Sequence, residues 1–203
     1  MLLVDRDQCL QDLSHLLPET PIAFREAMRR MRNASPEDLI DRTARSGSNL
    51  TRDYAVAAIQ RLWHGQNGVR VHDKGLRKLF LVNDKYAIRI KKFDQQSRSG
   101  NVRTGDDRRF RFQQPLEGIP RLIHLELGYV PNALRTDVQD VRLICLNGYR
   151  IYWTHSIERP DDDANVYDLF QGTPDPHHPQ PAIRPKDQDD AARETVIIKP
   201  KKR

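Results

Sequence analysis

The spacing of apolar residues changes near Gly68, and this change limits the possible folds more than any other feature of the sequence. Before it, apolar residues recur three or four positions apart in segments 10–17, 22–31 and 54–62, which predicts amphipathic helices. After it, apolar residues alternate with polar ones, as on one face of a strand. Helices followed by strands are typical of an α+β domain. We therefore expect N-terminal helices packed on a small antiparallel sheet.

Residues that favour helix ends divide the N-terminal part. Ser35-Pro36 followed by two acidic residues predicts a helix start, and Gly47 predicts the end of that helix. A further helix is expected over residues 51–63. Two helices joined by about four residues also suit a helix-turn-helix, although helical hairpins of this kind are common in ordinary cores.

Two short turns predict the sheet. Asn83-Asp84 lies between apolar runs and predicts a first hairpin with an apolar inner face and a basic outer face, where Lys78 would lie opposite Arg89. Asn147-Gly148 predicts a second hairpin in which Leu146 lies opposite Tyr149. An extra strand is expected over residues 122–130, and a long polar loop over 94–118. The sheet would thus consist of two hairpins and one more strand.

The composition changes again from residue 159, where proline is frequent and large apolar residues are rare. Such a segment buries too little apolar surface to offset the entropy lost on ordering. We predict one globular unit, made of a helical part (1–68) and a sheet part (69–158), followed by a disordered tail (159–203). The tail is acidic and then basic, which suggests that it docks on a protein partner or screens a basic surface of the folded unit.

The basic residues are concentrated in the middle of the chain. The net charge is +6, yet residues 70–112 alone carry thirteen Lys and Arg against five Asp. A cluster of this kind predicts binding to the phosphates of DNA or RNA, as in regulation, DNA metabolism or defence. Phe110 and Phe112 lie among the arginines, where they could stack on bases. The predicted binding residues are Lys78, Arg89, Lys91, Lys92, Arg98, Arg103, Arg108, Arg109 and Arg111.

No catalytic motif is evident, so whether the chain is an enzyme stays open. The segment 86–91 has the form of the strand that carries an acid-x-Lys pair in restriction-type nucleases, but Arg89 occupies the position of the metal-binding acid. A metal-independent, toxin-like ribonuclease is the enzymatic alternative. Its candidate residues are Tyr86, Arg89, Lys91 and His124. A protein-interaction module that acts through its tail is a third possibility.

The remaining features favour a cytoplasmic protein without a cofactor. Cys9 and Cys145 have no further metal ligands at a suitable spacing, which predicts two small core residues and no metal site. The N-terminus becomes charged at Asp5, so we expect no signal peptide. No apolar run is long enough to span a membrane.

Overall fold

The computed structural model describes residues 3–33, 43–74, 77–100 and 104–158. The helices in this part of the chain are α1 (Arg6–Leu13), α2 (Thr20–Arg32), α3 (Ala44–Leu62) and α4 (Gly105–Arg111). The strands are β1 (Val69–Lys74), β2 (Arg77–Val82), β3 (Tyr86–Lys92), β4 (Ile123–Pro131), β5 (Val138–Asn147) and β6 (Arg150–Ser156). The predicted tail, the helix start at Ser35-Pro36 and the predicted site residue Arg103 lie outside the described residues.

The predicted α+β class is confirmed, but the sheet is larger than expected. Its six strands follow the order β1-β2-β3-β4-β5-β6, so the prediction of two hairpins and one extra strand is wrong. The prediction of a purely antiparallel sheet is also wrong, because β3 and β4 are parallel. Parallel neighbours require a crossover connection. The crossover between Lys92 and Ile123 contains α4, within the segment for which a loop was predicted.

Gly47 does not end a helix, contrary to the prediction. It lies inside α3, which begins after Thr43, whose side chain accepts a hydrogen bond from the Ser46 amide at 3.1 Å. A glycine inside a helix costs only about 1 kcal/mol relative to alanine. Since residues 44–50 are helical, the helix-turn-helix proposed around Gly47 is not formed.

Helices α1, α2 and α3 cover one face of the sheet. Apolar residues of α2 and α3, such as Phe24 and Ile59, form a single core with residues of the central strands, such as Ile88 and Leu125. The Phe24 ring lies 5.7 Å from that of Tyr129 on β4. Helices with one apolar stripe and strands with alternating apolar residues bury each other in this way. Cys9 and Cys145 are buried, as predicted.

The other face of the sheet is covered by the crossover. Phe110 of α4 packs with Leu79, Leu81 and Ala87 in a second cluster, and Phe93 packs with residues of β4 and β5 in a third. α4 begins after Thr104, whose hydroxyl accepts from the Asp107 amide at 3.1 Å. Charged groups of α4 and β3 are therefore enclosed between the crossover and the sheet.

Both predicted hairpins form, but each has a different register from the predicted one. In the first hairpin Val82 pairs with Tyr86, so residues 83–85 form a three-residue loop, in which Asn83 and Asp84 have positive φ. In the second hairpin Asn147 pairs with Arg150, so the turn residues are Gly148 and Tyr149 and only Gly148 has positive φ. The predicted pairing of Leu146 with Tyr149 is wrong: Leu146 pairs with Ile151, next to a bulge.

Candidate nucleic-acid interface

A cleft of about 900 Å³ opens at the carboxyl ends of the parallel strands β3 and β4. The N-terminal half of α3 forms one wall, and the segments that follow the two strands form the others. The carboxyl ends of parallel strands are a common place for ligands, because neighbouring chain segments diverge there and leave a crevice. The topology thus creates a concave site from three separate parts of the sequence.

The cleft is strongly basic. One carboxylate, that of Asp94, faces six cations among its described lining residues. The cations are Arg45, Arg52, Lys91, Lys92, Arg98 and Arg135. Arg52 also contacts Asp53 at 3.3 Å, but exposed pairs of this kind contribute little. A cleft lined by charges of one sign focuses its potential on the space between its walls.

Two lysines at the end of β3 lie at the base of the cleft. Consecutive strand residues point to opposite faces, so Lys92 reaches α3, where it donates to the Ser48 hydroxyl at 2.9 Å. Lys91 lies on the crossover side. Burial, and secondly the charge of Arg89, lowers the pKa of Lys91 from 10.5 to about 8. Burial also lowers the pKa of Lys92. Both shifts would be opposed by an anion in the cleft.

The wall that carries Arg98 is held in place by hydrogen bonds. Asp94 accepts from the backbone amide and the Nε of Arg98, at 2.8 and 2.9 Å. Ser97 has positive φ, and its hydroxyl accepts from Arg142 of β5 at 2.6 Å. Arg142 also donates to the Gln95 carbonyl at 3.0 Å. The turn at residues 94–98 is therefore fixed on the sheet.

Arg89 and Arg111 were predicted to bind phosphate, and the structure places both in an internal ion cluster. Arg89 contacts Asp107 at 2.9 Å and forms an ion pair with Glu126 of β4. Arg111 contacts Asp107 at 3.1 Å and donates to the Ser99 hydroxyl at 2.9 Å. The four charged side chains are at most 12% exposed, and their charges balance. Buried charges require such pairing, so this cluster joins the crossover to the sheet.

The other predicted binding residues are dispersed. Lys78 does not lie opposite Arg89: it pairs with Asp73 of β1 at 3.1 Å and donates to Gln60 of α3, on the helix-covered face. Arg108 and Arg109 are exposed on α4 and do not line the cleft. Lys91, Lys92 and Arg98 are the predicted residues that the structure brings together in the cleft.

Three of the cleft cations were not among the binding residues predicted from the sequence: Arg45, Arg52 and Arg135. Arg45 lies on the helix that was predicted to end at Gly47, Arg52 lies on the separate helix predicted over residues 51–63, and Arg135 lies beyond β4. A helical run through Gly47 would have placed Arg45, Ser48 and Arg52 on one face, three or four residues apart. Nothing in the sequence near Arg135 indicates its position.

The four residues proposed for a ribonuclease do not form one site. Tyr86 is buried on the helix-covered face, where its hydroxyl donates to Asp12 at 2.6 Å. His124 is buried on the other face and stacks on Phe110 at 4.6 Å between ring centroids. Burial lowers its pKa. Tyr86 is thus separated by the sheet from the residues with which it was expected to act.

Within residues 3–33, 43–74, 77–100 and 104–158, no group of three or more His, Cys, Asp or Glu side chains is placed to hold a metal ion. Nor does this part of the chain contain a helix with the length and apolar character needed to cross a membrane.

No protein-family model matches the sequence, and no curated protein matches it. Among solved structures, the chain is similar to the restriction endonuclease BglI bound to its DNA recognition sequence. The TM-score is 0.31 and the identity 10%, over 80% of this chain and 73% of the other. A similarity of this size is too low to support an inference about fold or function.

Proposed function

We propose that this protein binds the phosphate backbone of nucleic acid in the cleft at the carboxyl ends of β3 and β4, hereafter the cationic cleft. The observation that supports the proposal is that its described lining residues include six cations and one carboxylate. The proposal keeps the ligand expected from the sequence but changes the site. The cations come from the ends of β3 and β4 and from α3, rather than from a basic hairpin surface.

Electrostatics favours an extended polyanion over a single small ion. Cations that line one concave surface repel each other, and the repulsion is relieved by an anion that contacts several of them. A nucleic acid backbone supplies a series of phosphates, and each contact releases condensed counterions. Binding should therefore weaken steeply with salt.

The chemistry of the cleft favours contact with phosphates over recognition of bases. Among the described residues that line the cleft, the aromatic one is Phe93. The Phe93 side chain is buried and therefore does not offer a ring for stacking on a base. Arginine and lysine contacts to phosphate position a nucleic acid but carry no sequence information. We expect affinities in the cleft that depend little on base sequence.

The test is a fluorescence anisotropy titration of the full chain with labelled DNA and RNA, repeated over a series of salt concentrations. The informative variant is the double substitution Arg52→Gln/Arg135→Gln, because the two arginines lie on different walls of the cleft. The matched control is Arg29→Gln/Arg121→Gln, which removes the same charge from two exposed positions that do not line the cleft.

The cleft variant should bind at least tenfold more weakly and show a salt slope smaller by about 2, since each lost phosphate contact changes the slope by roughly 1. The control variant should lose much less affinity. Equal losses in the two variants would show that net charge alone determines binding, and the cleft would then not be the site.

A further inference from the structure

A second surface lies at the other end of the sheet, around the β5–β6 turn. Tyr149 in this turn is 65% exposed. Its ring meets that of Phe112, just after α4, with centroids 5.3 Å apart and an angle of 88° between the planes. Edge-to-face contact of this kind stabilises both rings in one orientation. Tyr149 is thus supported on one side and open on the other.

The turn that carries Tyr149 is held against the end of α4. The Gly148 amide donates to the Arg111 carbonyl at 2.9 Å. A Cβ on Gly148 would lie 3.0 Å from the Phe112 ring, and its φ of +67° also favours glycine. Glycine therefore lets the turn approach Phe112 closely. The exposed ring is held in position before any ligand arrives, which lowers the entropy lost on binding.

Cations flank this aromatic pair. The Arg108 guanidinium lies 5.7 Å from the centroid of the Phe112 ring, on the exposed side of α4. Arg109, the next residue, has a side chain that is 54% exposed. An exposed ring beside arginines suits a nucleobase with its attached phosphate. Arg109 pairs with Asp106 at 3.8 Å, and a purely apolar partner would cover the Arg108 guanidinium without supplying a counter-charge.

We propose that Tyr149, supported by Phe112 and flanked by Arg108, is a stacking platform for an unpaired base, so that the nucleic acid bound by this protein is single-stranded. This inference rests on the proposed function, since it adds a base contact to the phosphate contacts of the cationic cleft. Bases in a duplex are already stacked on each other, so they cannot cover the ring without being unpaired. Base–aromatic stacking tolerates any sequence, which agrees with a site that does not read bases.

The platform and the cleft can act on one strand. Strand β4 begins near the β5–β6 turn and ends at the cleft, and its nine residues span about 26 Å at roughly 3.3 Å per residue. Helix α4 lies beside this path. The Arg111 side chain contacts Ser99 in the cleft wall, while the Arg111 carbonyl accepts from the turn. An oligonucleotide of a dozen residues is long enough to reach both surfaces.

The test compares two single strands with the same number of phosphates: a twelve-residue oligothymidylate, and the same backbone with abasic residues. Tyr149→Ala should weaken binding of the oligothymidylate about five- to hundredfold and leave binding of the abasic strand unchanged. Tyr149→Phe, which keeps the ring, should behave as the unmodified protein. The control is Tyr152→Ala. Tyr152 is also exposed but lies on β6 rather than in the turn, so its substitution should change the affinity for neither strand.

Equal losses for the two strands would overturn the inference, because the ring would then support the fold rather than a base. Unchanged binding of the oligothymidylate by Tyr149→Ala, or a similar loss in Tyr152→Ala, would also overturn it. These results differ from failure of the proposed function, in which the unmodified protein binds neither strand in a salt-dependent way.

Discussion

Lys91 lies at the base of the cationic cleft, where burial disfavours its charged form. Its ammonium group is partly removed from water and lies near Arg89, so its pKa falls to about 8. The folded protein therefore loses this proton at a lower pH than the unfolded chain does. Below pH 8 the residue is charged and attracts phosphate; above pH 8 it becomes neutral.

We predict that the affinity for nucleic acid falls as the pH rises from 7 to 9. The loss should be roughly tenfold, the value of one charged contact. In Lys91→Arg the guanidinium stays charged over this range, so the fall should be much smaller. Anisotropy titrations at constant ionic strength would measure this fall in affinity for both proteins. A pH profile that is the same in Lys91→Arg and in the unmodified protein would exclude Lys91 from the contact.

Asp12 makes the N-terminal part sensitive to acid. Hydrogen bonds from Lys85 and Tyr86 lower the pKa of Asp12 to about 2. Because the folded-state pKa is below the usual 3.8, the stabilisation is present above pH 4 and is lost as the pH falls towards 2. We predict that Asp12→Asn lowers the free energy of unfolding at pH 7 and has a smaller effect near pH 2.5. Urea unfolding at the two pH values would test this; an equal loss at both would contradict it.

At the scale of elements, β3 and β4 approach each other closely because of a glycine. A Cβ on Gly128 would lie 2.2 Å from the Lys91 carbonyl oxygen and 2.7 Å from the Phe93 ring. The Phe93 amide also donates to the Tyr129 carbonyl at 2.9 Å. The segment that forms the base of the cationic cleft thus lies directly against β4, where no side chain can intervene.

We predict that Gly128→Ala destabilises the protein by about 3 kcal/mol or more, since the backbone of Lys91 would have to move. The control is Gly47→Ala. That position lies inside α3 with no atom within 4 Å of an added Cβ, so the protein should become more stable, by up to about 1 kcal/mol. Urea denaturation of both variants would measure the difference. A small effect of Gly128→Ala would mean that the two strands can separate without cost.

The elements themselves were largely predictable from the sequence, and the exceptions have physical causes. Strong local signals, such as the helical spacing around Phe24 and the turn at Asn83-Asp84, agreed with the structure. The prediction that a helix ends at Gly47 was wrong because tertiary packing of α3 outweighs the small energetic penalty of one glycine in a helix. α4 was missed because its seven residues include only one buried apolar side chain, that of Phe110, which is too few to show a period.

The binding site was much less predictable than the fold. Charge density along the sequence located Lys91, Lys92 and Arg98, but it could not distinguish them from Arg89, which has similar neighbours in the chain. The difference is made by Glu126, 37 positions away, which reaches Arg89 because β3 and β4 are parallel. Such long-range pairing leaves no local pattern in the sequence.

At the scale of the whole molecule, binding should stabilise the fold. A ligand that binds only the folded state at a hundredfold excess over its Kd adds about 2.7 kcal/mol. We predict that a single-stranded oligonucleotide raises the melting temperature by about 5 °C or more at low salt. At the same ligand concentration the shift should fall to about half or less in Arg52→Gln/Arg135→Gln, which binds at least tenfold more weakly, and should be kept in Arg29→Gln/Arg121→Gln. A shift of equal size in both variants would indicate binding elsewhere.

The parallel pairing of β3 with β4 also bears on how such a protein can vary. Residues inserted between α4 and β4 would lengthen the crossover without moving the ends of the two strands. A slip of β3 by a single position would instead turn Lys91 towards the helices and bring Ile90 and Lys92 to the crossover side. A variant could then keep every charge in its sequence and still lose the site, because register, and not composition, decides which cations meet the ligand.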